Sequence, residues 1–124
     1  MPVVERSADE IAGLLWDRLD VERERVGAPS LARAERLEAR LEAVARAGAR
    51  RAAAGETDGL AQDLADEVEL AGRLSVSVQV VFQLEDVELP PASLKRGVRA
   101  IGVAGVQDSA HAQGRIGVAI LTLR

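Results

Sequence analysis

From Leu74 to Leu84 an apolar residue occupies every even position, and the residues between are Ser75, Ser77, Gln79, Val81 and Gln83. Strand side chains alternate between faces, so this period of two predicts a strand over 74–84 with one buried face and one mostly wet, uncharged face. Two more strands are expected, at 98–106 and 115–123. The first is thin, because Gly102, Ala104 and Gly105 offer little side chain. Glycine weakens a strand unless a helix or a second backbone must come close. In the second, Ile116, Val118 and Ile120 share one face while Ala119, Leu121 and Leu123 share the other, the pattern of an internal strand. Residues 107–114 read as the hairpin loop between these two, and 85–93, with Pro90 and Pro91, as a stiffened connection.

Residues before the first strand have helical spacing. Ser7 followed by Glu10 forms a capping box, and Ile11, Leu15, Leu19 and Val26 recur at helical intervals until Gly27 and Pro29. A second helix is expected from Ser30 to about Ala54. Its Ala34, Leu37, Leu41, Val44 and Gly48 alternate spacings of three and four, as a coiled-coil seam does. Arg33, Arg36 and Arg40 flank that seam on one side, Glu38 and Glu42 on the other. A parallel pair would set opposite charges together, although packing within the chain is the commoner use of such a stripe. Thr57 is the expected cap of a third helix carrying Leu60, Leu64, Val68 and Ala71 and ending near Gly72.

Helices first and strands afterwards place the chain in the α+β class. The expected architecture is two to three N-terminal helices followed by a three-stranded, mainly antiparallel sheet, with the helices on one face. One domain over 1–124 is expected, helical over 1–72 and sheet over 73–124.

Composition narrows the chemistry. Trp16 and Phe82 are the only aromatics, so stacking on bases or sugars has little to work with. The absence of cysteine removes disulfides, thiol nucleophiles and thiolate metal ligands, and His111 is the only histidine. The net charge of −4 divides unevenly: 10 − 16 = −6 over 1–72, and 6 − 4 = +2 over 73–124. Neither half carries a dense basic footprint, so no nucleic-acid partner is expected. The first residues lack a signal-peptide plan and no apolar run nears the roughly 20 residues of a membrane span, so a cytoplasmic chain without a membrane partner is expected.

Asp108, Ser109 and His111 contain the residue types of a hydrolytic triad, yet triad members converge from separate elements, and Asp and Ser are ordinary turn residues. Gly97, Gly102 and Gly105 match no phosphate-binding spacing. Glu85, Asp86 and Glu88 lack the turning glycine of a calcium loop. Lys95, Arg96 and Arg99, with His111, form the best candidate anion site, of the kind a small ligand-binding or enzymatic domain builds between subunits. The alternative is interaction. Trp16 lies on the boundary of a helical stripe, the seam residues Ala34, Leu37, Leu41 and Val44 offer a helical contact, and Ser75, Ser77, Gln79 and Gln83 form an uncharged strand face. With no catalytic set and no cofactor expected, the reading favoured is a non-enzymatic assembly module whose partner is itself or another protein.

Overall fold

The computed structural model describes residues 6–29, 31, 39–68, 73–108 and 114–124. Within them lie α1 (Ala8–Arg25), α2 (Ala39–Ala53), α3 (Leu60–Glu67), β1 (Leu74–Val81), β2 (Ala100–Gln107) and β3 (Ile116–Leu123). The strands form one antiparallel sheet in the order β1-β3-β2. Since β1 and β2 both run antiparallel to β3, they run parallel to each other. The chain between them must therefore return along the length of the sheet.

The class is the one expected, but the helices do not share a face. Ala100, Ala104, Ala119, Leu121 and Leu123 pack with α2 and α3, whereas Ile101, Val103, Ile116, Val118 and Ile120 pack with Ile11, Leu15 and Leu19 of α1. The physical reason lies in β3, which is apolar on both sides and needs cover on both. The sheet is the middle layer of three.

Alpha2 sits almost on the sheet backbone. A Cβ built on Gly102 would lie 2.6 Å from the Leu41 carbonyl, and one built on Gly117 would strike the backbone at Ala49 and Ala53. The glycines that thin the strands thus let a helix faced with Ala45, Ala49 and Ala52 approach closely, in place of bulky aromatic packing.

On the other side, α1 begins as the capping box predicts, with the Ser7 hydroxyl accepting the Glu10 N–H at 3.1 Å. It ends at Gly27, which has φ +77°. Two of its arginines grip the return segment. Arg18 donates to the carbonyls of Leu84 (3.1 Å) and Val87 (2.9 Å). Arg23, only 2% exposed, donates to those of Ser93 (2.6 Å), Lys95 (3.1 Å) and Pro29 (2.8 Å). Burial holds the Arg23 pKa below the ordinary arginine value, and the nearby Asp20 carboxylate acts in the opposite sense.

Four local expectations change. The third helix ends at Glu67, with Val68 already extended at φ −92° and ψ 110°, rather than near Gly72. The first strand stops at Val81 rather than Leu84, because a 3-10 turn over Leu84–Asp86 swings Leu84 into the α1-side core. The middle strand spans 100–107 rather than 98–106, with Val98 buried just ahead of it. Thr57 does not cap α3 through its side chain: Gly59, at φ +67°, occupies the cap position with no side-chain hydrogen bond.

Candidate functional site

The feature that distinguishes this molecule is the free side of β1. Arg73 and Arg124 exchange both main-chain bonds, at 3.1 and 2.8 Å. Pairing in an antiparallel ladder alternates, so Ser75, Ser77, Gln79 and Val81 turn their N–H and C=O groups toward β3. Leu74, Val76, Val78 and Val80 turn theirs outward. Among the described residues no main-chain bond reaches these four from outside the sheet.

The opposite edge is managed differently. Asp108 donates its N–H to Arg115 at 2.7 Å, which fixes Ile101, Val103, Gly105 and Gln107 as the outward set of β2. Yet Ala100 through Gly105 are all buried, lodged between α1 and α2, and the Gln107 side chain accepts the Arg6 N–H at 2.8 Å. No residue of Leu74–Val81 is buried. Among the described residues the helices shelter one edge and leave the other accessible. That open edge has no charge and no proline, the two devices that commonly discourage strand addition.

Its surroundings are polarised in character. On the α2 side, Leu74, Val76 and Val78 pack against the core beneath α3, while Val80 is 38% exposed; Phe82, in the bend just past the strand, is 54% exposed. On the α1 side, Ser75, Ser77 and Gln79 are half-buried. Gln79 is already committed: its amide donates to the Ser77 hydroxyl and pairs with both main-chain groups of Glu88. Gln83 is exposed just beyond the strand. Along the edge, Arg73 and Arg124 lie exposed at the start of β1, and Glu85 and Asp86 lie exposed past its end.

The other candidates fare unequally. Leu41 and Val44 face the sheet at 0% and 8% exposure, so this part of the helical stripe packs within the chain. Ala34 and Leu37 lie outside the described residues. Trp16 is half-buried against the α1-side core. Lys95, Arg96 and Arg99 are exposed on the segment entering β2. His111 lies outside the described residues.

Of the missed features, the arginine clamps were the most readable. Arg18 and Arg23 interrupt an otherwise ordinary helical face, but nothing in their spacing names a carbonyl as the target. Among the described residues no group of three or more His, Asp or Glu is placed to hold a metal ion, and no helix is long and apolar enough to cross a membrane. A hollow of about 190 Å³ near Phe82, Glu85, Arg6 and Gln107 brings together one carboxylate and one guanidinium residue, without a nucleophile beside a base. Comparison with protein-family models, with curated proteins and with solved structures finds no match, so the reading of this chain rests on its own edge and surfaces.

Proposed function

We propose that this protein is a non-enzymatic interaction module that assembles with protein partners by adding a strand to β1. The observation that carries the reading is the asymmetry of the two sheet edges: β2 is buried between helices, and β1 is half-exposed, uncharged and proline-free. An edge of that kind offers main-chain donors and acceptors at the strand repeat, which supply affinity. The side chains at alternate positions then supply selectivity. Val80 and Phe82, exposed at one end, give such a partner an apolar foothold.

Backbone amide exchange tests it. The chain isolated with whatever protein it carries in its own cells is compared with the same chain after dissociation. Docking at this edge slows exchange of the outward amides at Leu74, Val76, Val78 and Val80, and leaves the β3-bonded amides at Ser75, Ser77 and Gln79 much as they were. A partner that stays bound while these four amides exchange unchanged would overturn the reading.

A further inference from the structure

We infer that the strand added to β1 is β1 of a second copy of this chain, running antiparallel across a two-fold axis at Val78. The inference rests on the edge reading above and names its partner. Three observations converge on it.

The first is charge. Beta1 is neutral throughout, but its ends differ in sign: exposed Arg73 and Arg124 stand at its start, and exposed Glu85 and Asp86 follow its end. Two copies side by side in parallel would set arginine against arginine and acid against acid. Turned antiparallel, each copy brings its basic end to the partner's acidic end, at both ends at once. A two-fold axis makes that complementarity automatic, since one patch meets itself reversed.

The second is the direction of the free groups. With Val78 opposite Val78 of the partner subunit, the outward residues pair with outward residues. Val76 meets Val80 of the partner subunit, and Leu74 comes opposite the partner's Phe82. Within β1 the Val78–Val78 and Val76–Val80 pairs exchange N–H and C=O as an antiparallel ladder requires, while Phe82, past the end of β1, enters only as a neighbour of Leu74. A shift of one residue would set outward groups against inward ones and lose the bonds.

The third is what the pairing covers. Val80 and Phe82 are large apolar residues left open by the fold. In this register Val80 lies beside the partner's Val76, extending the apolar face under α3 from one sheet into the next, and exposed Phe82 comes near the partner's Leu74. On the opposite face Ser77 comes beside the partner's Gln79, polar against polar. The product is a six-stranded sheet whose two outer edges are both β2, the sheltered strand. Pairing therefore removes the only accessible edge among the described strands, and assembly stops at two.

The test begins with absolute mass by light scattering across a roughly hundredfold range of concentration. The expected result is twice the 13.1 kDa of one chain at the upper end, falling toward one chain on dilution. Val80→Lys places a charge on the edge at a residue already exposed, and is expected to give a monomer with unchanged circular dichroism. Arg73→Glu, an exposed change that leaves the strand intact, is expected to raise the dimer Kd about tenfold through like charges at both ends. Adding Glu85→Lys and Asp86→Lys to it is expected to restore the wild-type Kd. A monomer at every concentration would overturn the second-copy inference while leaving the edge reading to amide exchange. A dimer untouched by both Val80→Lys and Arg73→Glu would show pairing elsewhere and overturn the inference outright.

Discussion

Gln79 holds Glu88 at two points: its Nε2 donates to the Glu88 carbonyl at 2.6 Å, and its Oε1 accepts the Glu88 N–H at 2.9 Å. A primary amide presents a donor and an acceptor side by side, so it can imitate a neighbouring strand for one residue. Through this contact β1 pins the segment that leaves its own end. Gln79→Ala is expected to cost about 1–2 kcal/mol in urea unfolding, the sum of two modest bonds at an exposed site. The sharper check is local: the Glu88 amide should exchange markedly faster in the variant, while amides within α2 do not change.

Arg23 is a larger commitment. Its guanidinium is buried and directed at three main-chain carbonyls, tying Pro29, Ser93 and Lys95 to the end of α1. Arg23→Met keeps much of the stem's packing but strands those carbonyls, and is expected to destabilise by about 3 kcal/mol. Arg23→Lys keeps the charge and loses the planar fork, so it should recover only part of that loss. Burial lowers the pKa of this base, so its charged form is disfavoured on folding and the sign is a penalty, not a gain. That penalty is present wherever arginine is charged in both states and lifts only as strongly alkaline pH nears the folded pKa. Stability measured from pH 6 to 8 should therefore show no dependence traceable to Arg23.

Two glycines separate close approach from open space. Gly102→Ala sets a methyl group 2.6 Å from the Leu41 carbonyl, where the helix backbone cannot yield cheaply, and should cost about 3 kcal/mol. Gly97→Ala meets nothing within 4 Å and should fall within about 0.5 kcal/mol of the parent. Equal effects at the two positions, by thermal or urea unfolding, would mean that α2 does not rest on the sheet as described.

Gly13 offers the opposite sign. It lies exposed inside α1, and an added Cβ there would meet nothing within 4 Å. Gly13→Ala should stabilise by roughly 0.5–1 kcal/mol, because alanine loses less backbone freedom in a helix. A rise in Tm without a change in solution mass is the expected observation.

The strands and their faces were legible because alternation is a local property. Val76 and Ser77 differ in environment whatever the rest of the chain does. The two-sided demand of β3 was legible too, in Val118 and Ala119 alike. That same demand could have corrected the expectation of helices on one face, since a both-sided strand needs cover twice. Strand order was not legible: whether Leu74–Val81 lies at an edge depends on where residues some forty positions later insert. Helical periodicity had the same blind spot at Leu41 and Val44, since a stripe looks alike whether it meets its own sheet or another molecule. Of the candidate site, the uncharged character of β1 could be read directly, whereas its open edge required the topology.

Beta3 stands last among the described strands and occupies the middle of the sheet. Each of its neighbours is synthesised before it and has no strand to pair with until it arrives. The ribosome thus releases two apolar ribbons in waiting, and the tertiary structure can set only when residues 116–123 slot between them. Such long-range closure slows folding and lengthens the time in which nascent chains can find one another. The same order makes the final strand a natural point of failure: a premature stop before Ile116 would leave the helices of this protein with no joined sheet to rest upon.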